Sequence, residues 1–219
     1  MPNSPSPEKL TAALVEHQIE LLPEQIALLA RYCELLWEWN AKINLTRHTD
    51  HATFVARDLV DSLALSEFLD QGERVLDVGS GGGVPGMVLA ILRPDLKIAL
   101  CESVGKKAKV LDDIVERLGL DVPVHHARAE ELLERERFDT LVVRAVARMR
   151  KLLGWFRGHQ RAFGRLLLIK GPSWVEERGE ARHHGELKHF SLRRLKSYPM
   201  AGAESESVVL QIRPVEKRK

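Results

Sequence analysis

The stretch VLDVGSGGGVPG, Val75 to Gly86, decides the reading of this 219-residue chain. It opens as an apolar run fit for a buried strand, turns through Gly79, Ser80, Gly81, Gly82 and Gly83, and reaches Pro85 where a helix should begin. Glycine lets a backbone turn tightly and approach a ligand that a Cβ would hold off. In open α/β sheets ligands sit outside the carboxyl ends of the strands, which is where this turn lies. Gly79, Gly81 and Gly83 are therefore expected to cradle a cofactor.

Downstream of the turn, short apolar runs alternate with longer amphipathic ones, the signature of βαβ units. Strands are predicted at Arg74–Val78, Lys97–Glu102, Val122–His126, Thr140–Arg144 and Arg165–Lys170, with helices near Pro85–Leu92, Lys106–Leu118 and Met149–Phe163. Leu187–Tyr198 and Ser207–Arg213 read as an antiparallel hairpin closing the sheet edge. Upstream, apolar residues recur at helical spacing in Leu10–Leu22, Gln25–Trp39 and Thr53–Leu69, with Pro23 breaking the first two apart. The expected fold is α/β, a doubly wound, mostly parallel sheet with an N-terminal helical extension. Residues 1–70 form the tail and extension and 71–219 one compact unit.

Carboxylates choose among the cofactors that such a turn can hold. Asp77 lies two residues before Gly79, and a pyrophosphate would be repelled there, since it prefers the positive end of a helix. S-adenosylmethionine has no phosphate, and its sulfonium and ammonium groups are drawn to a carboxylate. Glu102 ends the next predicted strand and can accept both hydrogen bonds of a ribose diol, a position shared with nicotinamide enzymes. Ala129 and Glu130 follow the third strand, where a backbone amide and a carboxylate can meet an adenine edge, although Glu130 taken alone reads first as a helix-start charge stabilised by the dipole. Acids at successive strand ends make a nucleoside pocket, with S-adenosylmethionine the expected occupant.

Net charge is only +2, but it is unevenly placed: Met1–Asp139 holds 15 Lys and Arg against 24 Asp and Glu, and Thr140–Lys219 holds 18 against 7. A basic C-terminal half suits a polyanion such as nucleic acid. Cys33 and Cys101 have no neighbour at metal-ligand spacing, and adjacent His125 and His126 would point to opposite faces of a strand, so no metal is expected. No apolar run approaches the ~20 residues of a membrane span, and MPNSPSPEK is no export signal. A cytoplasmic protein is expected, with no membrane partner.

The chemistry narrows further. Cytosine C5 methylation needs a thiolate, yet no cysteine follows the Thr140–Arg144 or Arg165–Lys170 strands. Exocyclic amine methylation commonly uses an Asn/Asp-Pro-Pro-aromatic turn after the fourth strand, where this chain reads VVRAVARM. A ring nitrogen such as guanine N7 already offers a lone pair and needs alignment only. Arg144 and Lys170 end strands on the cofactor edge and are expected to face the substrate, an ion pair with Asp77, Glu102 or Asp139 being the alternative. A small-molecule methyltransferase, a nicotinamide oxidoreductase and a non-catalytic RNA-binding relative stay open.

WNAKINLT at Trp39–Thr46, RDLVDSL at Arg57–Leu63, LDVGSGGGVPG at Leu76–Gly86, ESVGKKAKVL at Glu102–Leu111, ARAEEL at Ala127–Leu132, VVRAVARM at Val142–Met149 and LLIKG at Leu167–Gly171 together resemble the small-subunit ribosomal RNA methyltransferase G family, also called glucose-inhibited division protein B. The resemblance implies a class I methyltransferase fold, Rossmann-like, acting on N7 of a guanine in 16S ribosomal RNA, as naked RNA or in the 30S particle, by a protein expected to be a monomer. It implies that Gly79 and Val84 line the cofactor, that Ala129 and Glu130 meet its adenine, that Arg144 lies between cofactor and target, and that Asn44 and Lys170 lie near the RNA. Two departures stand out: the family usually has His where this chain has Asp58, and Ser205–Ser207 lacks the cation of the family's approach to the final strand.

Overall fold

A computed structural model of the chain describes residues 7–199 and 204–215. Seven strands form one sheet in the order β3-β2-β1-β4-β5-β7-β6. β1 (Arg74–Val78), β2 (Lys97–Glu102), β3 (Val124–His126), β4 (Phe138–Arg144) and β5 (Phe163–Lys170) are parallel. The predicted hairpin is present as β6 (Phe190–Pro199) and β7 (Glu206–Pro214), but β7 slots antiparallel between β5 and β6. The returning strand, apolar on both faces from Val208 to Leu210, takes the inner place, and the cation-rich β6 is left at the edge.

Strand alternation feeds two cores. Val75, Leu100, Val142 and Leu167 face α2 (Pro23–Asn40), α5 (Gly86–Leu92) and α6 (Gly105–Leu118). Leu76, Val78, Leu141 and Leu166 face α7 (Ala129–Leu132), α8 (Met149–Phe156) and α9 (Trp174–His183). The crossovers from β1 therefore wind on one face and those into β4 and β5 on the other. Their switch point lies between β1 and β4, where such sheets open a crevice.

The helical extension belongs to this core. α1 (Pro7–Glu16), α2, α3 (His51–Thr53), a π-helical segment Phe54–Leu59 and α4 (Val60–Ser66) contribute Leu10, Leu29, Phe54 and Leu65 to the cluster that holds Val75 and Val142. Asp50 starts α3 by accepting from Thr53 N–H at 2.7 Å. Pro23 does not itself break α1 from α2. It is the first residue of α2, and the chain turns earlier, through Gln18 at φ +55°. The predicted helix Met149–Phe163 stops at Phe156, and Phe163 already belongs to β5. α9 escapes a reading of the sequence because only Glu177 and Ala181 of it are buried, too few to print an apolar stripe.

Candidate active site

Hydrogen bonds within the chain fix the glycine turn. Gly79 and Ser80 N–H donate to Cys101 O at 2.8 and 3.1 Å, and Gly83 N–H donates to Ser80 O at 2.7 Å. Ser80 Oγ donates to Asp77 O at 3.0 Å and accepts from Cys101 N–H at 3.2 Å. The turn is thus stitched to the end of β2, with Gly79 and Gly81 at φ +68° and +59°, a conformation that L side chains rarely adopt. A Cβ at Gly81 would make only an ordinary contact, 3.8 Å from Gly79 O, whereas one at Gly79 would meet Val146 Cγ2 at 2.8 Å. From the other side, Tyr32 OH of α2 donates to Gly82 O at 2.8 Å. Asn40 Oδ1 accepts from Leu45 and Thr46 N–H at 2.8 and 2.9 Å, holding the segment that packs beside Gly82.

Asp77 does not reach the open side of the turn. It is 1% exposed, and its Oδ2 accepts from Gly86 N–H at 3.0 Å, tying β1 to the start of α5. Burial pushes its carboxyl up to about 7, against the opposing pull of the Gly86 and Ser80 hydrogen bonds. Asp77 is therefore placed to support the turn, and it does not line the cavity at the strand ends. Glu102 ends β2 beside the turn, buried, with Oε2 accepting from Gly81 N–H at 2.9 Å and Oε1 from Val104 N–H at 2.8 Å. A carboxylate has about four acceptor positions, so two remain for a ligand. Gly83 and Val84 line neither of the two cavities found at the strand ends. A Cβ at Gly83 would meet Met87 Cγ at 2.6 Å, and Val84 packs against the core beneath.

A cavity of about 210 Å³ opens at the strand ends, walled by Gly79, Cys101, Ala129, Glu130, Val146 and Trp155. It brings together three of the expected cofactor residues, with Gly81 and Glu102 joined to it through the turn. Glu130 sits in the first turn of α7, paired with Arg128 at 2.7 Å.

A second cavity, about 290 Å³, is walled by Arg57, Asp61, Arg144, Lys170, Tyr198 and Ser207 among others. Most of its charges come in pairs, while Arg57 makes no ion pair among the described residues. Arg144 is bonded to Asp58, and its Nε lies 3.1 Å from Asp61 Oδ2. Asp58 Oδ2 lies 2.8 Å from His48 Nε2, and Tyr198 OH donates to Asp61 Oδ1 at 2.6 Å. Burial works against the Arg144 charge, but Asp58 and Asp61 outweigh it and hold the guanidinium above its usual value. Burial raises the Asp61 carboxyl, with Arg144 opposing, and burial together with Asp61 carries the Tyr198 phenol well above its ordinary range. The ion-pair alternative for Arg144 is therefore real, with Asp58 and Asp61 in place of Asp77, Glu102 or Asp139.

Lys170 is likewise engaged. Its Nζ donates to Ala147 O at 2.7 Å and lies 2.8 Å from Glu177 Oε2, which also accepts from Met149 N–H at 2.7 Å. It walls the cavity while anchoring the chain after β4. Asn44 is exposed and lies on neither cavity. Ser207, one of the departures, is buried in the second cavity wall. Reasoning from sequence misses Asp61, Tyr198 and Glu177 as site residues. Asp61 stands within the quoted RDLVDSL stretch, but nothing local shows that it meets Tyr198, 137 positions away.

One segment separates the two cavities. Ala145 faces the second and Val146 the first, immediately after Arg144. Ala145 holds φ +55°, which costs about 1–2 kcal/mol for a non-glycine residue. The Arg144 ion pairs before it and the Lys170–Ala147 bond after it hold it there.

The profile of the family described as GidB, rRNA small subunit methyltransferase G, matches residues 25–208. Relatives named ribosomal RNA small subunit methyltransferase G include one from Rhodopirellula baltica, 53% identical over 194 residues, 89% of this chain and 84% of that one. Another, from Lactobacillus johnsonii, is 40% identical over 187 residues, 81% of this chain and 78% of that one. Among solved structures, M. capricolum TrmK in complex with S-adenosyl-homocysteine matches with a TM-score of 0.56 at 11% identity, over 70% of this chain and 67% of that chain. A mutant of MtNAS in complex with S-adenosylmethionine matches with a TM-score of 0.55 at 18% identity, over 97% of this chain and 86% of that chain. These structures share the fold, that of class I methyltransferases. With its glycine turn, its strand-end acids and this profile match, the chain belongs to the rRNA small subunit methyltransferase G family.

Proposed function

We propose that the protein transfers a methyl group from S-adenosylmethionine to N7 of a guanine in 16S ribosomal RNA. One observation supports the reading most: the nucleoside-type cavity and the ion-paired cavity adjoin at the exit of β4, where consecutive Val146 and Ala145 line the one and the other, so that a base in the second can approach a methyl group held in the first. Gly79 and Gly81 leave the room that the cofactor's amino-acid part needs, Glu102 keeps two acceptor positions for its ribose, and Ala129 and Glu130 bound the space for its adenine. S-adenosylmethionine, when bound, supplies an electrophilic methyl group on a positively charged sulfur.

The chain's own residues then have little proton chemistry to do. Guanine N7 carries an in-plane lone pair and loses no proton when alkylated, so the requirement is placement. The second cavity suits a base. Arg144 is paired with Asp58 and Asp61 and Lys170 with Glu177, and with the unpaired Arg57 three cations meet three acids, so the wall is polar without an excess of cations that would favour a phosphate. Positive charge builds on the purine as the methyl arrives, and Asp61 faces the cavity to oppose it. Arg144 acts as a positioning residue, fixing Ala145 and Val146 at the border of the two cavities, beside the line along which the methyl must pass directly from sulfur to N7. Calorimetry tests the cofactor assignment: S-adenosylhomocysteine is expected to bind with one site per chain and NAD⁺ to give no heat. NAD⁺ binding with equal affinity would replace the reading.

A further inference from the structure

A third hollow lies away from both cavities, between α9 and the start of β6. It encloses about 330 Å³ and is walled by Arg178, Arg182, Leu187, Lys188, Phe190 and Leu192. The charges of α9 explain why it is cationic. At 3.6 residues per turn, Glu176 and Glu180 share one side of the helix, Glu177 and Ala181 the buried side, and Arg178 and Arg182 a third. All three acids are engaged elsewhere: Glu176 with Arg148, Glu180 with Arg148 and Arg150, Glu177 with Lys170. The next acid along the chain, Glu186, pairs with Arg157 at 3.8 Å. Arg178 stacks on Trp174 at 5.2 Å. Among the described residues, neither it nor Arg182 nor Lys188 makes an ion pair or a side-chain hydrogen bond.

Like charges four apart on a helix repel, and here a third cation converges on the same hollow. Edge strands often carry cations that discourage pairing with other chains, which accounts for exposed Arg193 and Arg194 on β6. It does not account for Arg178, Arg182 and Lys188, which come from two other elements. Three cations without an acidic partner, Arg178 stacked on Trp174 among them, over an apolar floor of Leu187, Phe190 and Leu192 fit an anionic group attached to a flat or apolar body, as in a nucleotide.

The position sets what such a site is for. Phe190 begins β6 and Tyr198, in the second cavity, lies at its far end. A strand of this length spans roughly 30 Å at about 3.3 Å per residue. We propose that this hollow is a second RNA-binding site, which takes a backbone phosphate and its nucleoside several nucleotides distant from the modified base, with Arg193 and Arg194 on the strand between. It rests on the ribosomal RNA reading above and adds where that RNA is gripped: the substrate must be long or folded enough to reach both ends of β6.

The test is equilibrium binding of naked 16S ribosomal RNA across a salt series, with wild type, the Arg182→Ala/Lys188→Ala variant and the charge-conserving Arg182→Lys/Lys188→Arg variant. Arg178 is left in place because it packs on Trp174. In the alanine variant the slope of log affinity against log salt should fall by about 0.7–0.9 for each phosphate that is no longer neutralised. KM for RNA should rise several-fold with kcat unchanged. The charge-conserving variant should keep the wild-type slope, and unchanged S-adenosylhomocysteine affinity shows that the fold is intact. A wild-type slope in the alanine variant overturns the proposal. So does a weakening confined to 30S particles, which would assign the hollow to a ribosomal protein. A wild-type enzyme that neither binds nor methylates this RNA would remove the parent reading instead, and this one with it.

Discussion

At Asp77 a carboxylate is kept where water is excluded because the backbone of Gly86 needs an acceptor there. Its folded-state value near 7 lies above the unfolded one of 3.8. The folded protein therefore binds the proton more tightly, so this group's contribution is full below about pH 4 and is lost as pH rises towards 7. Asp77→Asn keeps an oxygen for Gly86 and cannot ionise. Chemical denaturation from pH 4 to 8 should show its stability gaining on wild type up to about pH 7 and then running parallel; a constant difference would mean that Asp77 is already ionised at pH 4. Arg144 gives the opposite case, a buried charge with two acids bonded to it. Removing one partner of such a pair typically costs about 3–5 kcal/mol, because the other is left buried and alone. Arg144→Ala should destabilise by that order, and Asp58→Asn in the same chain should return part of the loss. Additive effects in denaturant titrations would deny the pairing.

The elements divide by how much of their pattern is local. β1, β2 and the glycine turn can be read residue by residue, since an apolar run into glycines leaves few alternatives. α9 cannot, because its polar surface is turned to neighbours that only the fold brings near. The candidate site splits the same way. Gly79, Glu102, Ala129 and Glu130 follow from position at strand ends, while the Asp58, Asp61, Arg144 and Tyr198 network joins the π-helical segment, α4, β4 and β6 across the sheet. Gly83 misleads because it looks like its neighbours in sequence yet packs inward against Met87 and Tyr32. This difference is testable. A methyl at Gly81 would make only an ordinary contact, 3.8 Å from Gly79 O, and should cost about 1–2 kcal/mol for its left-handed backbone. Gly81→Ala should lower S-adenosylhomocysteine affinity at least ten-fold while the chain stays folded; undiminished affinity would move the cofactor off the turn.

At the scale of the molecule, the helical extension, the sheet and the final hairpin meet at one place, the exit of β4. α2 supports the glycine turn through Tyr32, α4 presents Asp61, and β6 returns Tyr198 to the same wall. The two cavities thereby adjoin at that exit. No helix among the described residues is long and apolar enough to cross a membrane, and the surplus of cations lies in the half of the chain after β4 begins. The most direct measurement is methyl transfer from labelled S-adenosylmethionine to 16S ribosomal RNA, followed by borohydride reduction and aniline cleavage, which breaks the chain only at N7-methylated guanine. A single cut at one guanine, abolished by Glu102→Ala, is the expected result. Label that enters the RNA without producing a cut, or no label in either naked RNA or 30S particles, would contradict the account.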